Sequence, residues 1–197
     1  MQRTRLTLPA FQVKKILLPG ESFKLHVFEE RYKELIKDCE SNHASFIIPF
    51  NEENNGYKYG AEVQIISVIK DYPDGRKDLM IQCTNIVVVC DYIEQLSPKL
   101  YGAATIEPDE ATPKITMIDL QDAIISYFDQ IQNKMMDYNT LEKLDVYQVA
   151  VSLQLSPKEK MQLIQSKNKQ ITLLNLIKFI THIINAEQNL SSRFIFN

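Results

Sequence analysis

The chain has 197 residues, of which 45% are hydrophobic and 24% charged, with a net charge of −3. That is ordinary globular composition with room for one large domain or two small ones. The slight acidic balance, with Lys and Arg spread along the whole chain, argues against nucleic-acid binding and against a general pull toward an anionic membrane.

Arg3 and Arg5 lie near the N-terminus, but Pro9, Gln12, Lys14 and Lys15 interrupt any apolar run, so no signal peptide is expected. Leu17-Leu18 ends a strand-like run at Pro19-Gly20, where Pro presets one dihedral and Gly accepts a conformation that a Cβ would strain. The alternation Phe23, Leu25, Val27 predicts a strand, and a helix follows from Phe28 to Cys39. Phe46 to Phe50 is a short strand candidate. The polar stretch Asn51 to Gly60 reads as a loop that carries Tyr57 and Tyr59. Val63 to Val68 alternates with a phase shift that predicts a bulge near Ile65-Ile66. Asp71-Tyr72-Pro73-Asp74-Gly75 predicts the turn of a hairpin into the alternating run Leu79, Ile81, Cys83. Ile86 to Cys90 is apolar throughout, as in a strand buried on both faces, and Cys83 and Cys90 are both expected in the core.

At Thr112-Pro113 the hydrophobic period changes, which predicts a β-rich part, 1–112, and a helical part, 113–197. Met117, Leu120, Ile124, Phe128, Ile131 and Met135 recur at helical spacing in a helix expected to reach Met136, opened by a capping box from Thr116 to Asp119. A second helix is expected over Leu141 to Leu153. Ser156-Pro157-Lys158-Glu159 is a strong helix start, with Ser at the cap, Pro at the first position and Glu three residues on. A last helix covers Ile171 to Glu187. Its apolar run is broken by Thr172, Asn175, Lys178, Thr181 and His182, so it is too short and too polar to cross a bilayer, and no membrane partner is expected.

Several kinds of chemistry find no footing. The glycines Gly20, Gly56, Gly60, Gly75 and Gly102 nowhere take the spacing of a phosphate-binding loop. Cys39 and His43, four apart, have no nearby ligands to complete a zinc site. His26 with Cys83 lacks the supporting acid and oxyanion donors of a nucleophile pair. Three cysteines without a close pair argue against a disulfide framework and fit a reducing cytoplasm. No enzyme activity, cofactor or metal is expected.

Leu8-Pro9, the turn Leu18-Pro19-Gly20 and the run Leu25-His26-Val27-Phe28-Glu29-Glu30-Arg31-Tyr32 together resemble the N-terminal substrate-binding domain of Lon proteases. Leu155-Ser156-Pro157-Lys158-Glu159-Lys160 resembles the segment that opens a helix in that family's bundle. The chain departs from the pattern at Gln12-Val13, at Tyr59-Gly60 and at Cys83-Thr84-Asn85-Ile86. The resemblance implies an α+β fold, a PUA-like β pseudo-barrel followed by a C-terminal helical bundle. It implies a non-catalytic module that holds unfolded or peptide-like protein segments, in a stand-alone form without ATPase and peptidase domains, working as an adaptor for a separate protease or holding clients without degrading them. A PUA-like nucleic-acid-binding protein and a cereblon-like small-molecule receptor are the rival readings. Neither client nor oligomeric state follows from the sequence.

The signature residues Pro19, Gly20, His26, Phe28, Glu29, Arg31 and Tyr32 are expected to serve mainly structure. Glu29 suits a helix start, Arg31 is expected to bond loop carbonyls, Tyr32 to pack on the sheet, and His26 to sit at the core edge. Two readings fit Tyr57 and Tyr59: a recognition surface offering contact area at small entropic cost, or packing back onto the sheet. Met135 and Met136 likewise fit either core or an adaptable binding patch.

Overall fold

The computed structural model describes residues 5–52, 56–109 and 113–194. The chain divides into two compact units, Met1–Glu110 and Ala111–Asn197. The fold is α+β: strands and one helix make the first unit, helices the second.

In the first unit, strands β1 (Leu6–Ala10), β2 (Ser22–Val27), β3 (Phe46–Glu52), β4 (Gly56–Asp71), β5 (Lys77–Ile93) and β6 (Gly102–Pro108) form one sheet in the order β2-β5-β4-β3-β1-β6. β5 pairs a second time, with β6, and so closes the sheet on itself. Its length makes this possible. Lys77 to Gln82 pair with β2, and Val87 to Ile93 pair with β6. Closure satisfies most backbone groups and leaves few edges. Helix α1 (Glu30–Asn42) buries Tyr32, Leu35, Ile36 and Cys39 at helical spacing. They join a core that holds Leu18, Val27, Phe46, Ile48, Val63, Leu79 and Ile81.

The Pro19-Gly20 turn is closed by Glu21 N–H donating to Leu18 O at 3.0 Å. Gly20 takes φ +91°, the conformation its position requires after Pro. The hairpin at Asp71 to Gly75 forms as the turn residues dictate, with Gly75 N–H on Tyr72 O at 2.9 Å. The phase shift in β4 is a bulge: Ile65 faces Ile81 and Ser67 faces Met80, which leaves Ile66 extra.

Some expectations change. The stretch expected to be a loop from Asn51 to Gly60 is strand at both ends, because β3 runs to Glu52 and β4 begins at Gly56; residues 53–55 lie outside the described residues. Cys83 is buried, but Cys90 is exposed. Cys90 is the extra residue where Val89 faces Ile106 and Asp91 faces Thr105, so the bulge turns it out of the core.

The second unit holds α2 (Ile118–Gln130), α3 (Tyr138–Leu141), α4 (Val146–Ser152), α5 (Pro157–Gln165) and α6 (Lys169–Phe194). Ser156 caps α5 in a full capping box with Glu159. The capping box expected at Thr116 does not form. The N-cap is Met117, and Gln170 Oε1 accepts from the backbone N–H of Thr116 and Met117 at 2.9 and 3.0 Å. The helix expected to reach Met136 ends at Gln130, and Asn133 takes φ +50° beyond it. The helix expected from Leu141 to Leu153 is shorter: Leu141 ends α3, and α4 starts only at Val146, opened by a second capping box at Asp145. No helix among the described residues is long and apolar enough to cross a membrane.

Candidate functional site

The segment after β1, the start of α1, β4 and β5 bring seven polar and aromatic side chains of the first unit together. Phe11 follows β1 and stacks on Tyr32 with ring centroids 3.9 Å apart. The Tyr32 hydroxyl accepts from Gln12 N–H at 3.1 Å, and burial raises its phenol above the ordinary value. Glu29 is the N-cap of α1 but makes no side-chain cap; its carboxylate instead accepts from Arg31 Nε at 2.8 Å. The Arg31 guanidinium lies 4.4 Å over the Tyr32 ring. Arg31 was expected to bond loop carbonyls. Its hydrogen bond goes to the Glu29 side chain, which leaves the outer guanidinium nitrogens available.

Gln12 carries the cluster across to β4. Its Nε2 donates to the Tyr57 hydroxyl at 2.8 Å, and the Tyr57 ring meets Tyr92 with centroids 4.5 Å apart. Both tyrosines rest on an apolar floor that includes Leu8, Ala10, Ile47, Val89 and Ile106. Burial, then the negative charge of Glu94, pushes the Tyr92 phenol well up, so it is a neutral hydrogen-bonding group at pH 7. The cluster thus presents ring faces, one guanidinium and one side-chain amide. Chemically, rings of this kind can pack on apolar side chains, and a cation and an amide can meet carbonyls or carboxylates.

Two bulges set which tyrosines take part. Asn51 faces Tyr57 but Phe50 faces Tyr59, so Lys58 is extra. That extra residue places Tyr57 on the face of Ile47 and Tyr59 on the opposite face, beside Phe50. Plain alternation would have put both tyrosines on one face. The Cys90 bulge does the converse. It carries Tyr92, opposite Ala104, onto the face that Val89 shares with Ile106.

The remaining signature residues lie elsewhere. Pro19 and Gly20 form the turn before β2. His26 Nδ1 sits 2.6 Å from Asp78 Oδ1, and Phe28, 58% exposed, stacks beside the imidazole at 5.8 Å. Tyr72 also donates to Asp78, at 3.3 Å. Cys83 stands opposite Val63 on β5, while His26 stands opposite Asp78, so the two are not a pair. Met135 and Met136 lie past the end of α2 in the second unit, where Met135 is 97% exposed and Met136 half-buried. Gln12 and Tyr92 escaped the sequence reading as site residues. Gln12 showed only as a break in a family pattern, and Tyr92 lies beyond the apolar run that signalled β5.

The comparisons with known proteins point one way. The family model described as the ATP-dependent protease La (LON) substrate-binding domain matches residues 7–188. The structure is similar to that of a Lon N-terminal domain protein from Xanthomonas campestris, at 22% identity and a TM-score of 0.69, over 88% of this chain and 98% of that one. It is also similar to the N-terminal domain of the Mycobacterium avium complex Lon protease, at 15% identity and a TM-score of 0.62, over 89% of this chain and 98% of that one. At these identities the likeness is one of fold. A comparison with curated proteins finds no match. The family match spans both units, and the chain belongs to the LON substrate-binding domain family.

Proposed function

We propose that this chain binds unfolded or peptide-like polypeptide segments without acting on them chemically, and that it serves as an adaptor to a separate protease or holds its clients. One observation carries the reading: Tyr57 and Tyr92, from two strands, meet on one apolar floor, with Gln12 bonded to Tyr57 and Arg31 lying over the neighbouring Tyr32. The family is a substrate-binding module, and this cluster has the chemistry of chain recognition. Aromatic faces supply sequence-tolerant contact, while Arg31 and Gln12 offer donors to any backbone carbonyl.

The test is a fluorescence-anisotropy titration of labelled, reduced and carboxymethylated α-lactalbumin, which stays unfolded, with native α-lactalbumin as control. Saturable binding of the unfolded form alone is expected, weakened by Tyr57→Ala and by Arg31→Ala. No binding of the unfolded form, or equal binding of the native form, overturns the reading. A pull-down then asks whether a peptidase accompanies the chain.

A further inference from the structure

Closing the sheet through β5–β6 still leaves stretches of the described strands bonded on one side alone, and the two longest lie on β2 and β4. One is the outer side of β2, which pairs only with β5. The other is the far part of β4. β3 pairs with β4 only as far as Val63, so from Gln64 to Asp71 β4 is bonded on one side alone, to β5. No other hydrogen bond among the described residues reaches the outer backbone groups of residues 64–70.

These two edges differ in the side chains they carry. The exposed residues of β2 are Ser22, Lys24 and His26, and a lysine is the usual guard of an open edge. The β4 edge has no charge between Gln64 and Ile69. Instead it exposes Ile66 at 55%, Val68 at 45% and Ile69 at 47%. Ile66 and Ile69 are both bulge residues: Ile65 and Ser67 face consecutive residues of β5, and so do Val68 and Lys70. Each bulge adds an unpaired apolar side chain to the rim of the sheet.

We infer that Gln64–Lys70 of β4 is a strand-addition site, where an extended, uncharged, apolar-rich segment of a client polypeptide pairs with the open edge. The inference rests on the proposed function and names a second, separate contact for the same class of client. The unpaired ladder dictates an extended backbone as occupant, since only a strand satisfies successive N–H and C=O groups along an edge. The exposed isoleucines and valine dictate apolar side chains on it. The bulges decide between a client and a second copy of this chain. Two rigid edges, each bulged twice within eight residues, mismatch when paired with one another, whereas a segment without structure of its own follows the irregular register.

The test uses the full chain, its Ile66→Lys/Ile69→Lys variant and a Ser22→Lys control on the other edge, titrated with unfolded carboxymethylated α-lactalbumin. Amide hydrogen exchange is followed on the wild type with and without that probe. The edge variant is expected to bind about tenfold more weakly with an unchanged melt, while Ser22→Lys binds as wild type. Exchange at residues 64–70 is expected to slow in the complex. If the wild type binds the probe but the edge variant binds equally well, or if exchange at 64–70 does not change, the strand-addition site is wrong and the proposed function stands. If the edge variant abolishes a concentration-dependent dimer but leaves probe binding intact, the occupant is a second copy, which also overturns the inference. If the wild type binds no probe, both fall together. Should the double variant melt early, the single Ile69→Lys variant and the wild-type exchange data decide.

Discussion

The side-chain amide of Gln12 donates to the Tyr57 hydroxyl at 2.8 Å, across 45 positions of sequence. This bond joins the segment after β1 to β4, and through the Gln12 backbone N–H it also joins Tyr32 on α1. Gln12 is therefore the link between the signature helix and the strand that carries Tyr57. A surface built this way is held by the fold on two sides, so in the proposed function its side chains would lose little freedom on docking a client.

Tyr57 and Tyr59 are predicted to separate when mutated. Tyr57→Ala removes the ring that meets Tyr92 and the partner of Gln12, on the face of the cluster. Tyr59 lies on the other face, beside Phe50. Tyr57→Ala should lower affinity for an unfolded probe by about tenfold, the scale of one aromatic anchor. Tyr59→Ala should leave affinity within about twofold, well under the energy of such an anchor. Circular-dichroism melts on the same samples establish that both remain folded. Equal loss of affinity in the two variants would remove the face assignment.

Arg31→Ala should barely affect stability. Arg31 and Glu29 side chains are 40% and 39% exposed, and an ion pair so exposed contributes at most about 1 kcal/mol. Affinity for the probe should nonetheless fall, and Arg31→Lys should not restore it, because an ammonium lacks the flat face that lies over Tyr32. A large drop in melting temperature for Arg31→Ala would return this residue to the mainly structural role that the sequence suggested.

The extent to which sequence revealed this site follows from what periodicity can carry. The helix from Glu30, the Asp71 to Gly75 turn, the Ile66 bulge and the Ser156 cap were all legible, because each is local and each has its own residue preference. The bulges at Lys58 and Cys90 were not legible. Neither stands out by residue type, yet each moves a tyrosine from one face of the sheet to the other. Gln12 was unreadable for another reason. Its role depends on two partners, at positions 32 and 57, that only the closed sheet brings near.

Two glycines should fail in different ways. Gly20 has φ +91° and nothing within 4 Å of where a Cβ would stand. Gly20→Val therefore meets strain and no clash, a cost of about 1–3 kcal/mol. At Gly102 a Cβ would lie 2.5 Å from Ile93 O and 2.8 Å from Glu94 O. Those atoms are backbone and cannot rotate away, so Gly102→Ala must push β6 from β5 where the sheet closes. Although it adds one methyl only, it should cost at least as much as Gly20→Val, on the order of 2–4 kcal/mol. Urea midpoints compare them. A neutral Gly102→Ala would mean that the closure yields easily.

Acid should destabilise the first unit through two carboxylates. Hydrogen bonds from Lys99 and then Tyr101 hold Asp38 below the usual carboxylate value. Bonds to His26, then Lys24 and Tyr72, do the same for Asp78. Each folded value lies below the unfolded one, so the unfolded chain takes up protons first as pH falls. The stabilisation is complete above the unfolded value, about 4, and is lost as pH drops through the lower folded values. Urea midpoints should be flat from pH 7 to 5 in this respect and fall below pH 4. Asp78→Asn and Asp38→Asn should each start lower and show a shallower fall. An unchanged acid slope in both variants would show that these pairs do not govern it.

The start of α2 gives the sharpest contrast between sequence signal and structure. Thr116 and Asp119 have the spacing of a capping box, but Thr116 instead accepts from Gln170 Nε2 at 3.2 Å. Gln170, at the start of α6, accepts from the N–H groups of Thr116 and Met117 through one oxygen. It therefore satisfies donors that a local cap would otherwise take, and it fastens α2 to α6. Gln170→Ala should destabilise by about 1–2 kcal/mol, as loss of a cap does. Asp119 is exposed and bonds no cap, so Asp119→Ala should lose only the small dipole effect, about 0.3–0.5 kcal/mol. Ser156→Ala, at a capping box that does form, supplies the reference value. Thermal melts of the three variants rank them, with Gln170→Ala near Ser156→Ala and Asp119→Ala near wild type. If Asp119→Ala proves the more damaging, the local box that the sequence suggested holds this helix, and the bridge from α6 does not.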